Sequence, residues 1–294
     1  MASLKEIKSR IQSVKSTQKI TSAMMMVASA KLRKAQKQIE NFYPYEQKMG
    51  YILTNFLSAE EEETTSVFAV QREVQRVAIV VFSSNSSLCG SFNSNVARKL
   101  TTAVENYKNL GKENILIFPI GKKIRQVVKK LGFPVVENFD DMADTPNYKA
   151  SQKLADRLMD SFLKNDVDKV ELIYHHFKSK SSQVLVQNTF LPIELDALSK
   201  PSADAPNINH YYLIEPDREA IIKELIPLVI RLKLYTASLD SAASEHAARA
   251  IAMQIATDNA DDLLQELDLQ YNKSRQQAIT NELLDIIGGS FGQE

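Results

Sequence analysis

No tryptophan occurs in the 294 residues, and there is a single cysteine, Cys89. One cysteine excludes an intramolecular disulfide and any zinc cluster built from cysteines. Only eight glycines and nine prolines punctuate the chain, which suits long helices rather than a fold of many tight turns. Neither sign of charge is in excess: 36 Lys and Arg balance 36 Asp and Glu, so no bulk attraction to nucleic acid is implied. No apolar run approaches the ~20 residues that a membrane-spanning helix needs. The N-terminus has no apolar signal core behind a basic start, which predicts a protein kept in the cytosol.

What is present is periodicity. From about Pro216 to Gly288, apolar and small residues recur in alternating steps of four and three: Leu225, Val229, Leu232, Thr236, Leu239, Ala243 and His246, then on through Ala250, Met253, Thr257, Ala260, Leu264 and Leu267 to Ala278. Such a heptad seam predicts one supercoiled helix that needs a partner helix. At ~1.5 Å per residue it would be roughly 100 Å long. Asp217 and Glu219 suit its positive end, Pro227 is expected to bend it, and Gly288-Gly289 to stop it. A second seam, Leu4, Ile7, Ile11, Val14, Gln18, Thr21, Met25, Ala28, Leu32, Ala35, Ile39 and Phe42, predicts a first helix from about Ser3 to Leu57, running through Pro44. Residues 1–40 hold nine Lys/Arg and two Glu, and residues 255–294 hold two Lys/Arg and eight Asp/Glu. Opposite charge at the two chain ends favours antiparallel pairing of the helices. If Leu57 lies beside Asp217, Leu4 falls near Gln270, Met24 near Ala250, and everything beyond about Tyr271 overhangs. A lone helix is a poor folding unit, so the overhang calls for a surrounding protein.

Between the helices the texture changes. Val77–Phe82 and Asn114–Ile120 are continuous apolar runs typical of buried strands, and Lys169–His176 and Gln183–Phe190 read as further strands. Helices are predicted over Asn93–Tyr107, Lys122–Leu131 and Lys149–Lys164. The alternation predicts a largely parallel sheet. The fold class is therefore α/β with a long antiparallel coiled coil. The N-terminal helix (1–58) and C-terminal helix (210–294) form the coiled coil around a central Rossmann-like domain (70–209).

Few residues suggest chemistry. Ser83 to Ser91 lies after a strand and before a helix, where doubly wound sheets bind ligands, yet Gly90 is its only glycine and the spacing of a dinucleotide loop is missing. Cys89 in that turn reads as a structural thiol, since no histidine is placed by the sequence to activate it. His175 and His176 are strand neighbours pointing to opposite faces, so they cannot share a metal. His246 sits on the seam in a packing role. Met24-Met25-Met26 spans more of the helix circumference than one seam requires, which hints at a second apolar neighbour. No carboxylate pair, phosphate loop or metal cluster stands out. A stand-alone coiled-coil interaction protein and a Rossmann-type enzyme with helical arms are the competing classes.

Three segments carry a family resemblance. Ile20 to Ala28 with Lys31 to Lys34, Ala243 to Arg249 with Ala256 to Ala260, and Tyr271 to Gln276 with Ile279 to Asp285 resemble the signatures of the gamma-subunit family of F-type ATP synthases. Leu88-Cys89-Gly90 matches the middle domain of that family. Met25 stands where the family commonly has Glu, Asn85-Ser86-Ser87 replaces acidic, basic and glycine residues, and Ser290 replaces alanine. The resemblance implies a non-catalytic rotor without cofactor or metal, one copy per complex. Its partners would be a hexameric ring of alpha and beta subunits, the epsilon subunit and the membrane ring of c subunits, with no nucleic acid. It would sit peripherally on the cytoplasmic face of a bacterial inner membrane and couple proton flow to ATP synthesis. Met24, Arg249, Arg275, Gln276, Thr280 and Glu282 would face the alpha/beta ring, and Tyr212 and Glu215 would lie at the foot near the c ring.

Overall fold

The structure, a computed structural model, describes residues 4–58, 67–193, 215 and 217–291. The described elements are α1 (Leu4–Ser58), β1 (Val77–Phe82), α2 (Phe92–Asn106), β2 (Ile115–Ile120), α3 (Lys122–Lys130), α4 (Asp140–Asp144), α5 (Tyr148–Leu163), β3 (Lys169–Phe177), β4 (Gln183–Leu191) and α6 (Arg218–Phe291). They form two compact units, one of Met1–Ser29 with Arg249–Glu294, the other of Ala30–Ala248.

The larger unit is organised by a four-stranded sheet of order β2-β1-β3-β4. β1 pairs in parallel with β2 and β3, while β3 pairs antiparallel with β4. The sheet is thus mixed: two of its three pairings are parallel, as expected, and the third, at the β4 edge, is antiparallel. The short connection from Phe177 to Gln183 can only close a hairpin, because a parallel return needs a crossover of a dozen residues or so. All six residues of β1 are buried, and their alternation divides them between two apolar layers. Val77, Ile79 and Val81 meet Val96 and Leu100 of α2 and Ile124 and Val128 of α3. Ala78, Val80 and Phe82 belong with Leu154, Leu158 and Phe162 of α5, Leu53 of α1, and Ile226, Ile230 and Leu234 of α6. A strand covered on both faces has no use for polar side chains, which is why the run VAIVVF was legible.

Local signals set the helix ends. Asn147 Oδ1 accepts from the Lys149 amide at 2.9 Å and caps α5. Asp217 Oδ1 accepts from the Ala220 amide at 2.8 Å and caps α6, a hydrogen-bonding role beyond the favourable charge expected of it near the positive helix end. Gly288-Gly289 does not stop α6, which continues to Phe291. Glycine lowers helix propensity by only ~1 kcal/mol and leaves the hydrogen-bond ladder available. Helix α1 runs unbroken through Pro44 and α6 through Pro227. Within the larger unit, Leu32 and Ala35 of α1 pack with Ala243 and Ala247 of α6, and Phe42 meets Tyr235 edge-on at 4.8 Å.

In the smaller unit the seam positions of α1 from Leu4 to Ala28 and of α6 from Ala250 to Ala278 are all buried or half-buried. Thr21 and Thr257 share a hydrogen bond of 2.8 Å, and Gln18 Nε2 donates to Asp261 Oδ1 at 2.6 Å. The helices therefore run antiparallel here, but about one turn displaced from the expected register. Met24 comes level with Gln254 instead of Ala250, and Leu4 with Ser274 instead of Gln270. A slip of four residues carries one seam position onto the next, so apolar periodicity alone is degenerate, and the polar pairs choose among registers.

Candidate partner-binding surfaces and the loop after the first strand

The displaced register moves the start of the overhang. Ser274 and Ala278 remain half-buried, and every residue from Ile279 to Ile287 is exposed. Five of these are large and apolar: Ile279, Leu283, Leu284, Ile286 and Ile287 expose between 49% and 69% of their surface. Scattered exposed hydrophobics are ordinary, but five within nine residues of one helix are a contiguous patch of the kind that marks an interaction site. Further back in the same unit, Met24 and Met25 are half-buried while Ile20, Met26, Val27 and Ile255 are exposed.

The contact residues that the family resemblance implies are placed as follows. Arg275, Gln276, Thr280 and Glu282 are exposed, and the Thr280 hydroxyl donates to the Gln276 carbonyl at 2.9 Å. Helical spacing puts Arg275 and Glu282 on one face and Gln276 and Thr280 on another, about 120° round the axis. Met24 is half-buried and Arg249 is buried. Glu215 is exposed, and Tyr212 lies outside the described residues.

The loop after β1 is packed shut. Cys89 is 1% exposed, and its Sγ accepts from Asn93 Nδ2 at 3.1 Å and lies 3.8 Å from Ser84 Oγ. A thiol so enclosed is a small core side chain. The first amides of α3, which in a nucleotide-binding sheet would be free for phosphate, are taken by the protein itself. Lys122 N donates to Asn85 Oδ1 at 2.9 Å, Lys123 N to the Ser84 carbonyl at 3.2 Å, and Ile124 N to Ser83 Oγ at 3.1 Å. Gly121, at φ +105°, allows this approach, since a Cβ there would lie 2.5 Å from the Ser83 carbonyl oxygen. Asn85 Nδ2 also donates to the Asp140 carbonyl at 2.8 Å, and Asp140 pairs with Arg125 at 2.7 Å. Asn85 thus ties α3 to α4, a role no local sequence signal announced. Leu88, at φ +68°, is exposed at the loop tip. Among the described residues, no group of three or more His, Cys, Asp or Glu is arranged to hold a metal ion.

Where α1, α6 and β3 meet, the larger unit holds a cluster of titrating groups. His176 Nδ1 lies 2.6 Å from Asp240 Oδ2. Burial pushes the Asp240 carboxyl up, opposed by its hydrogen bond to His176, and burial likewise raises Glu46. Tyr174 is pushed up to about 12, by burial first and then by the charges of Asp240 and Glu46. On the other face of β3, His175 is stacked 4.4 Å from Phe92, and burial lowers its pKa to about 4. The two histidines do point to opposite faces. His246 is buried beside Glu245, Nδ1 to Oε2 3.1 Å. These groups brace the packing of helix on strand, and none lines a space able to take an organic substrate.

Comparison with known proteins adds to this geometry. A family model described as ATP synthase matches residues 3–291. The chain is 59% identical to the ATP synthase gamma chain of Phocaeicola vulgatus, with 99% of this chain and 100% of that one covered. It is 56% identical to the ATP synthase gamma chain of Bacteroides thetaiotaomicron, with the same coverage. Among solved structures it resembles a chain of the Euglena gracilis mitochondrial ATP synthase (OSCP/F1/c-ring, rotational state 3), with TM-score 0.66, 20% identity, and 99% and 94% of the two chains covered. It also resembles a chain of the Tetrahymena thermophila mitochondrial ATP synthase central stalk and c-ring, with TM-score 0.57, 24% identity, and 81% and 99% covered. At these identities the structural likenesses show the fold.

Proposed function

The chain belongs to the ATP synthase gamma-chain family, and from that premise we propose that it is the central-stalk rotor of a proton-translocating F-type ATP synthase. It is a non-catalytic subunit of that complex. The paired helices, 1–58 with 210–294, are the antiparallel coiled-coil shaft, and residues 70–209 form the Rossmann-like foot. The shaft stands inside the ring of alternating alpha and beta subunits, and the foot sits on the epsilon subunit and the c ring. The rotor is present once per complex, peripheral on the cytoplasmic face of the bacterial inner membrane.

The observation that carries this reading is the exposed apolar end of α6 from Ile279 to Ile287. A helix end that leaves five large apolar side chains exposed is best stabilised within a sleeve supplied by other chains. The two faces bearing Arg275 with Glu282 and Gln276 with Thr280 offer polar contacts to such a sleeve, and Met24 and Arg249 lie further along the shaft. A shaft that presents different side chains to several equivalent neighbours biases their conformational equilibria one after another. Each neighbour's states differ in contact free energy with the face it meets. Proton flow turning the ring and foot would then drive the catalytic sites in sequence.

The test is reconstitution. The purified chain should hydrolyse no ATP, and adding it to alpha and beta subunits should give rapid cooperative turnover. A reversible crosslink from a cysteine at position 280 to a beta subunit, placed where the helix cannot swivel, should stop multisite turnover, and its cleavage should restore it. Full-speed hydrolysis with the crosslink in place and the helix intact would refute the rotary reading.

A further inference from the structure

Helix α6 is buried all round from Ala237 to Ala247, yet this stretch, ASLDSAASEHA, is rich in hydroxyls and charge where a buried helix would ordinarily carry leucines. The rotor reading leaves that composition unexplained. A cavity about the size of one water closes here between Phe82 and Ser83 at the end of β1, Met142 of α4, and Ser238, Ser241 and Glu245 of α6. Ser238 is 1% exposed, and its hydroxyl has no hydrogen-bond partner. A buried hydroxyl left unpaired is costly, and serine inside a helix can usually satisfy itself on the carbonyl one turn back. Here it does not. Dry cavities in proteins are apolar, whereas this one, largely apolar in its walls, is bordered by Ser238, Ser241 and Glu245, residues that can together offer a water two or more polar partners.

We infer that this cavity is a hydration site, with one ordered water accepting from or donating to the Ser238 hydroxyl and bridging it to Ser241 and Glu245. The water completes the contact of α6 with the end of β1 and with α4. It accounts for Ser238 and Ser241 inside the core, while Ser244 donates directly to the His175 carbonyl at 3.1 Å. Water-mediated bonds are enthalpically close to direct ones, so such a join is wet without being weak.

A dry and a hydrated cavity predict opposite signs for one substitution in the full chain. If the site holds water, Ser238→Ala removes a satisfied hydroxyl and raises the unfolding equilibrium constant roughly fivefold in urea titrations. Ser238→Cys, whose thiol fills at least the space of the hydroxyl but bonds weakly, should lose a similar factor. If the cavity is dry, Ser238→Ala removes an unpaired hydroxyl, and an unchanged or lowered unfolding constant overturns the inference. A loss in Ser238→Ala with none in Ser238→Cys would trace the effect to packing and overturn it too. A shift of the melting temperature when sodium and potassium chloride are replaced by choline chloride would overturn it in favour of a bound cation. A crystal structure of the chain should show density about 2.8 Å from Ser238 Oγ, and an empty site there would refute the inference.

Discussion

Acidification should expose one buried imidazole as a measurable liability. His175 is 3% exposed, stacked on Phe92, and its Nδ1 is enclosed without a hydrogen-bond partner. Burial lowers its pKa from 6.5 to about 4. The folded-state pKa is depressed, so the stability it protects is present above the unfolded value and lost as pH falls towards the folded value. Between those limits the unfolded chain takes up a proton that the folded chain refuses. At about 1.36 kcal/mol per pH unit, the loss is about 2 kcal/mol from pH 6.5 to 5 and about 3 kcal/mol by pH 4. Replacing His175 by Phe keeps an aromatic ring against Phe92 and removes the titration. Glu46 and Asp240 act with opposite sign, because their folded pKa values are raised: they stabilise below the ordinary carboxylate range and lose that contribution as pH rises through the folded values. They are common to both proteins and cancel in the comparison. Urea unfolding followed by far-UV circular dichroism, at about pH 7.5 and about pH 5, should show His175→Phe losing roughly 2 kcal/mol less than the parent over that interval. Equal losses in the two proteins would refute the account of a neutral, desolvated imidazole.

Two further perturbations test other parts of the structure. Gly121→Ala puts a Cβ 2.5 Å from the Ser83 carbonyl oxygen, whereas Gly111→Ala, also at positive φ, meets nothing within 4 Å. Melting curves should show the first losing about 2 kcal/mol more than the second, and equal losses would mean that the loop after β1 yields freely. Replacing Tyr212 and Glu215 together by alanine should weaken attachment to the c ring while sparing ATP hydrolysis by the detached soluble complex, and unchanged proton pumping would make them bystanders.

Much of the architecture is local physics and was legible in the chain itself. Val77–Phe82 is apolar throughout because both faces are covered, and alternation along β3 sends His175 and His176 to opposite sides. The four-three spacing identified every seam position of α1 and α6, and all are withdrawn from solvent. The short α4 went unseen, since five residues carry no periodicity. Of the contact residues carried over from the family, Arg249, Arg275, Gln276, Thr280 and Glu282 lie on α6, whose exposed end was expected, but nothing local to them marks their role.

What the sequence determined, then, is whatever is local to one element: strand alternation, heptad seams, acidic residues near the start of the last helix, and the missing spacing of a nucleotide loop. What only the tertiary structure decided is how elements choose among equivalent partners. A seam slipped by one turn is still a seam, so the register waited for Thr21 to meet Thr257 and Gln18 to meet Asp261. A strand does not announce the direction of its neighbour, so β4 became antiparallel through the short connection before it. Asn85 meets the α3 amide and the Asp140 carbonyl, and His176 meets Asp240, across 37, 55 and 64 residues of chain. Hydrogen bonds of that range depend on where the packed core brings distant segments together, and no window of sequence contains both ends.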